Sequence, residues 1–317
     1  MRYLKEVTVE VTQKCYSSCL FCSSLSSPLC DNEIPLEMLK EISRFSLSNK
    51  LDSINISGGE PLLRSDIEDL IAYNESIGLK SCVYTSGNIK DTKKFGAIID
   101  KTLSKRSVKF IFNYPSCQKD IFQYLIKNTR FEPSQIDSHI AYLLSEGIEV
   151  EAHIVPNAIN VGHLFETITH LKSLGIKKVS LLRLVLQGRA KTNEKVLTSG
   201  DFYSRLELGL TKILGTLPDK DFEIRLGTPF SDPTAVPCEC LAGVSKLLFR
   251  YDGVVFPCEA FKESPVNEKY ILGNIYHDSL DSIWSNPVVH KTLRHLRCEL
   301  IGSKEACPAQ VLYQKTK

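Results

Sequence analysis

The sequence predicts an α/β protein: an open or incomplete barrel of parallel strands, followed by a small C-terminal α+β unit built on a hairpin. Three observations predict it. Short β-branched runs alternate with amphipathic helical stretches through the first two-thirds of the chain, which is the signature of βα units and a parallel sheet. Six such units are too few to close an eight-strand barrel. From Pro237 onward the pattern changes, and five of the 11 cysteines fall in the last 81 residues. A doubly wound open sheet satisfies the same periodicity. In either architecture the site lies at the carboxyl ends of the strands.

The elements follow in order. Val7, Val9 and Val11 alternate against polar neighbours and make Val7 to Thr12 a strand. Leu36, Leu39, Ile42 and Phe45 mark one face of a helix. Ser53 to Ser57 is the second strand. Ser65 to Glu68 reads as a capping box opening a helix that turns Ile67, Leu70 and Ile71 inward. Ser81 to Thr85 is the third strand, and Phe95, Ile98 and Ile99 mark the next helix. Val108 to Asn113 is the fourth, followed by a helix with Ile136, Ile140, Leu143 and Leu144 inward, stopped at Gly147. Val150 to Val155 is the fifth, with Leu164, Phe165, Ile168 and Leu171 on the helix after it. Val179 to Leu186 is the sixth, apolar almost throughout, as a strand buried on both faces should be. Residues 188 to 200 form a polar, basic loop, Phe202 to Leu217 a helix, and Phe222 to Leu226 a short strand. The chain divides into a core over 1–190, a connecting segment over 191–236 and a cysteine-rich unit over 237–317.

Composition narrows the function. The 317 residues are 43% hydrophobic and 24% charged, which is globular and excludes a disordered, collagenous or coiled-coil chain. The formal net charge of +2 disfavours a protein that coats nucleic acid, so no specific nucleic-acid partner is expected. No apolar run is long enough to span a membrane, and the first residues lack the apolar core of a signal peptide. A cytoplasmic protein is expected. An odd number of cysteines spread along such a chain is a poor disulfide framework and points to metal or redox chemistry.

Position sharpens that inference. Cys15, Cys19 and Cys22 form a C-x3-C-x2-C triple directly after the first strand. Three thiolates on one short loop can hold three corners of a cubic [4Fe–4S] cluster and leave one iron open. Zinc, or three inert packed cysteines, are the alternatives at this stage; closed zinc sites want four ligands. Directly after the second strand comes Gly58-Gly59-Glu60-Pro61. Paired glycines let backbone approach a ligand closely, and the Glu offers an acceptor to an ammonium group. One βα unit after the cysteines and at the same strand-end level, the two features should face one pocket.

The pairing of CYSSCLFC with SGGEP resembles the radical S-adenosylmethionine (SAM) superfamily over about the first 190 residues. That resemblance implies a partial (β/α)6 TIM-like barrel and an enzyme. It implies that Cys15, Cys19 and Cys22 hold the cluster, and that the open iron takes the amino and carboxylate groups of SAM. It implies that Gly58, Gly59 and Glu60, with Pro61 closing the turn, hold the amino group, and that Phe21 lies near the adenine. The third strand ends Thr85-Ser86-Gly87-Asn88, similar to the family's strand end there. Asn113 falls where relatives carry a ribose contact, although Asn113-Tyr114-Pro115-Ser116 departs from the family pattern. His153 and Arg183 are candidates for the SAM carboxylate. A flavodoxin or ferredoxin would supply electrons.

The C-terminal unit carries a second signal. CLAGVSKLLFRYDGVVFPC reads as a hairpin turning at Asp252-Gly253, which brings Cys240 and Cys258 toward its base. With LGNIYHDSLDSIW it resembles the SPASM and shorter twitch domains, which bind auxiliary iron–sulfur clusters. Cys240, Cys258, Cys298 and Cys307 are then the expected ligands of one auxiliary cluster, with Cys238 as a substitute ligand or a catalytic thiol. Cys117, just past the fourth strand, is a candidate hydrogen-atom donor, while Cys82 reads as core packing. The run His290 to Arg297 reads as a solvated basic face. Gln187-Gly188-Arg189 lines the pocket or ends the sheet. The expected activity is SAM cleavage and radical modification of a peptide. Dehydrogenation or cyclisation of a small molecule or nucleotide is the second reading, and an iron–sulfur electron carrier the third.

Overall fold

The computed structural model describes residues 3–90, 93–227, 241–242, 244–263, 267–287, 291 and 309. Its centre is one ten-stranded sheet. In chain order the strands are β1 (Glu6–Glu10), β2 (Ser53–Ser57), β3 (Lys80–Thr85), β4 (Val108–Asn113), β5 (Glu149–Ile154), β6 (Lys178–Leu181), β7 (Glu223–Leu226), β8 (Lys246–Phe249), β9 (Val254–Phe256) and β10 (Gly273–Asn274). The sheet order is β10-β9-β8-β1-β2-β3-β4-β5-β6-β7. Strands β1 to β7 run parallel in sequence order, the arrangement that repeated βα crossovers produce. This is the partial barrel, open because its end strands are different elements, and the expected short strand near 222–226 joins its edge as β7, parallel to β6.

The helices between strands are α1 (Leu36–Ser48), α2 (Ile67–Ser76), α3 (Lys94–Lys101), α4 (Lys119–Ile126), α5 (Pro133–Ser145) and α6 (Leu164–Ser173). Beyond β6 come α7 (Arg189–Thr192), α8 (Glu194–Leu197) and α9 (Phe202–Thr216), and α10 (Leu280–Ser285) lies near the end of the described chain. Val7, Val9, Ile54, Ile56 and Val83 of the strands share one apolar core with Leu39 and Ile42 of α1 and Ile67, Leu70 and Ile71 of α2. Apolar side chains at helical spacing, three each on α1 and α2, are what pin these crossovers to the sheet.

Three local expectations are corrected. The capping box at Ser65–Glu68 does not form: α2 begins after Asp66, whose carboxylate takes both Nε and Nη2 of Arg64, while Glu68 pairs with Lys94 at 2.7 Å. The charged partners outcompete a backbone cap. A capping box forms instead at Glu132 and Gln135, opening α5. The sixth strand ends at Leu181 rather than Leu186: the last bond to β5 runs from the Leu182 amide to the Ile154 carbonyl at 2.7 Å, and the chain then turns so that Arg189 meets the cysteine loop. The stretch over 188–200, expected as a loop, holds the short helices α7 and α8.

The expected hairpin is present, with β8 and β9 antiparallel and Gly253 in the left-handed region at φ +84°. Its unexpected feature is that β8 pairs parallel with β1, from Glu6–Lys246 to Val9–Phe249, so the C-terminal hairpin extends the barrel sheet.

The face of the sheet away from α1 to α6 is polar. In register across it lie Thr8, Asn55, Cys82, Lys109 and Glu149. Cys82, expected as apolar packing, therefore belongs to this face. Lys109 pairs with Glu149 at 2.9 Å and Glu151 at 2.6 Å, and Lys246 with Glu6 at 2.6 Å and Glu259 at 2.7 Å.

Candidate active site

The ends of β1, β2 and β3 meet at one place. Past β1 the chain carries the cysteine loop, with Cys15 buried and Cys19 and Cys22 half-buried. Past β2, the Gly59 amide donates to the Thr12 carbonyl at 2.7 Å and the Glu60 amide to the Lys14 carbonyl at 2.8 Å. This explains the glycines: a Cβ at Gly58 would overlap the Thr12 carbonyl oxygen, and one at Gly59 the Lys14 carbonyl oxygen. The pair lets the two strand ends touch, immediately before Cys15.

Glu60 is fully buried. Its Oε1 accepts from Thr85 Oγ1 at 2.6 Å and from the Leu62 amide at 3.3 Å; its Oε2 accepts from the Ser86 amide at 2.8 Å and Ser86 Oγ at 2.6 Å. Four donors fill the four acceptor sites of a carboxylate. Burial still raises its pKa, against the bonds from Ser86 and Thr85 that lower it. Glu60, Pro61, Thr85 and Ser86 thus form one unit joining β2 to β3. Asn88 joins that unit to the cysteine loop, its Nδ2 donating to Ser17 Oγ at 3.1 Å. The Oδ1 of Asn88 is buried and has no hydrogen-bond partner among the described residues.

The thiols feel one another. Burial, then the proximity of Cys19 and Glu60, raises the Cys15 pKa well above the usual thiol value. Burial, then Cys22, pushes Cys19 up to about 12, while the nearby Arg189 charge works the other way. Cys15 and Cys19, crowded beside a third thiol, resist becoming thiolates unless a positive group joins them. Iron supplies that charge, and soft thiolate donors suit an iron–sulfur cluster. Among the described residues no three His, Cys, Asp or Glu side chains converge tightly enough for a single ion. A cubic cluster makes a different demand, since each thiolate takes its own iron. The donor set fits the cluster.

The remaining candidates are dispersed. Phe21 packs in a separate small apolar cluster with Leu20, Leu125 and Leu197. Asn113 ends β4 in register with His153 on β5. Burial holds His153 down at about 3, so it is a neutral ring, edge-on to Tyr84 at 5.5 Å, and offers no positive charge to a carboxylate. Arg183 is half-buried two residues past β6. Cys117 accepts from Thr167 Oγ1 of α6 at 3.7 Å, which sets its thiol against the helix layer. Past β5, Asn160 Oδ1 accepts from the Asn157 amide at 2.8 Å and its Nδ2 donates to the Pro115 carbonyl at 3.0 Å, tying the ends of β5 and β4 together. Cys258 follows β9, its Sγ donating to the Glu259 carboxylate at 3.4 Å. Cys238, Cys240, Cys298 and Cys307 lie outside the described residues, as does the run His290 to Arg297 apart from Lys291.

Sequence reasoning missed Lys262 entirely, and for Arg189 it missed the partner. Lys262 is buried against Glu10 of β1 and also donates to Ser24 Oγ at 2.6 Å, tying the C-terminal unit to the cysteine loop. Arg189 grips the same loop. A lone Lys or Arg far along the chain carries no local signal of either contact.

Strand-end cysteines, a buried Glu beside them and a partial parallel barrel define a class of enzyme, and comparison with known proteins gives the same class. The Radical SAM superfamily model matches residues 9–196, and the SPASM model, an iron–sulfur cluster-binding domain, matches 240–308. The chain belongs to the radical SAM superfamily. It is a radical SAM enzyme, whose cofactors are SAM and a [4Fe–4S] cluster, and its SPASM domain carries auxiliary iron–sulfur binding. Among individual proteins it is similar to the antilisterial bacteriocin subtilosin biosynthesis protein AlbA of Bacillus subtilis, 22% identical over 90% of this chain. The chain spans 60% of the length of that relative. It is also similar to a GTP 3',8-cyclase of Helicobacter pylori, 24% identical over 93% of this chain and 92% of the relative. In fold it is similar to Streptococcus suis SuiB bound to S-adenosylmethionine, with TM-score 0.74 at 16% identity over 93% of this chain and 69% of that one. Native anSMEcpe with bound AdoMet gives TM-score 0.67 at 14% identity over 91% and 82%.

Proposed function

We propose that this chain uses SAM radical chemistry to modify a peptide oxidatively or to cross-link it. The observation that carries the radical step is the junction of the three strand ends: Cys15, Cys19 and Cys22 against Gly58, Gly59 and Glu60. Cys15, Cys19 and Cys22 would hold a [4Fe–4S] cluster with one iron open, and that cluster would supply the electron for reductive cleavage of SAM to methionine and a hydrogen-abstracting 5′-deoxyadenosyl radical.

The chain's own residues bind and orient. Glu60 fixes the ends of β2 and β3 through Thr85 and Ser86. A ligand ammonium would take the place of one of those hydroxyls, both of which can rotate. The unpaired Oδ1 of Asn88 offers a further acceptor at the same level. Asn113 and Arg183, at the ends of β4 and β6, are assigned to the ribose and carboxylate side, and Phe21 to the adenine side. Cys258 with Cys240, Cys298 and Cys307 would hold one auxiliary cluster that accepts an electron from the substrate radical, and Cys238 is kept as an alternate ligand. We assign the functional core to 1–190, a connecting segment to 191–236 and the auxiliary unit to 237–317. A flavodoxin or ferredoxin in the cytoplasm would serve as donor.

The peptide reading is supported by similarity to a bacteriocin biosynthesis protein over 90% of the chain. The nucleotide reading is favoured by coverage of 92% of the Helicobacter cyclase. The engagement of four lysines weighs against it. Lys109, Lys178, Lys246 and Lys262 are already engaged by carboxylates, so a triphosphate would have to displace Glu149, Glu151, Glu223, Glu6, Glu259 or Glu10. Incubation of the reconstituted enzyme with GTP and, separately, with precursor peptides encoded beside its gene tests this by mass spectrometry. A peptide losing two hydrogens per modification is expected; a cyclised nucleotide would reverse the assignment.

A further inference from the structure

The turn that follows β6 wraps the cysteine loop. The Arg189 amide donates to the Cys22 carbonyl at 2.9 Å. Its guanidinium Nε donates to the Cys19 carbonyl at 2.9 Å, and Nη2 donates to the Ser26 carbonyl. Asn193 Nδ2 donates to the Leu20 carbonyl at 3.3 Å. Gly188 sits at φ +57°, and a Cβ there would stand 2.7 Å from the Cys22 carbonyl oxygen and 2.8 Å from that of Ser23. One short turn therefore takes four carbonyls between Cys19 and Ser26, spanning two of the three cysteines. Gln187, in the same turn, donates to the Glu259 carbonyl at 2.6 Å, beside Cys258. The turn touches both cysteine-bearing segments.

Two consequences follow from elementary chemistry. A loop whose carbonyls are held by a planar, multidentate guanidinium has few ways to move, so its side chains keep one spacing. A fixed positive charge at the backbone of a cluster ligand stabilises the state that carries the extra electron.

We propose that Arg189, with Gly188 and Asn193, is a positioning residue for the cluster: it fixes the cysteine loop and raises the reduction potential of the cluster that loop holds. The proposal rests on the reading that Cys15, Cys19 and Cys22 are the ligands.

The test uses the full chain, reconstituted anaerobically, and compares the parent with Arg189→Gln and Arg189→Lys. The midpoint potential of the barrel cluster is followed by electron paramagnetic resonance, and iron release to a chelator by absorbance. Loss of the charge in Arg189→Gln should lower the reduction equilibrium about tenfold, about 59 mV for a one-electron couple. Arg189→Lys should restore most of that shift while releasing iron several-fold faster than the parent, because one ammonium cannot span two carbonyls. Unchanged potential in Arg189→Gln with its iron retained overturns the proposal. If Arg189→Gln holds no cluster, Arg189→Lys and Asn193→Ala decide: faster release in both bears it out, and parental rates in both overturn it. A Cys15→Ala control separates the premises. If that variant kept the barrel cluster signal, the ligand assignment would fail, not the role of Arg189.

Discussion

At the scale of single residues, Glu60 is the most informative side chain. It is fully buried, four donors converge on it, and every one comes from the ends of β2 and β3. Glu60→Gln keeps an oxygen for Thr85 and Leu62 but turns an amide NH2 toward the Ser86 amide. A buried donor facing a donor costs about 1–3 kcal/mol. We expect SAM affinity, measured by equilibrium binding to the reconstituted protein, to fall about tenfold, which is roughly 1.4 kcal/mol. Unchanged affinity would remove Glu60 from the binding account. The GGEP pattern was legible in the sequence because glycine pairs, a following acid and a strand end are all local. Its physical reason was not: the glycines are needed by the carbonyls of Thr12 and Lys14, residues that only the β1–β2 pairing brings near.

At the scale of elements, the sequence reveals what repeats and conceals what is paired at long range. Strands β1 to β6 and helices α1, α2, α3, α5 and α6 all show their period locally, and the structure has them. The end of β6, the absence of a cap at Ser65 and the parallel pairing of β8 with β1 depend on partners tens to hundreds of residues away. The joint between β1 and the hairpin is anchored by Lys262 on Glu10, whose Oε2 has no further partner among the described residues. Removing one member of a buried ion pair leaves the other charge stranded, typically at a cost of about 3–5 kcal/mol. Lys262→Met should therefore lower the urea midpoint strongly, and adding Glu10→Gln should recover much of the loss. Equal stability of the single and double variants would show that this pair does not hold the joint.

At the scale of the whole molecule, one sheet carries both cysteine-bearing segments. The barrel supplies the strand ends at which Cys15, Cys19 and Cys22 meet Glu60, and β8 and β9 attach Cys258 to the same sheet through β1. Buried contacts from Gln187 and Lys262 reinforce that attachment. Among the described residues no helix is long and apolar enough to cross a membrane. The cysteine count alone pointed to metal or redox chemistry; the fold adds that the barrel loop and the hairpin are built as neighbours, which suits an electron passing between them. The central claim is that the three strand-end cysteines support reductive cleavage of SAM. The measurement that tests it most directly is 5′-deoxyadenosine, quantified by chromatography after anaerobic reconstitution with iron and sulfide and addition of dithionite and SAM. The account predicts deoxyadenosine from the parent chain and none above background from Cys15→Ala. No deoxyadenosine from a parent chain that holds its iron, or equal amounts from both proteins, would contradict it.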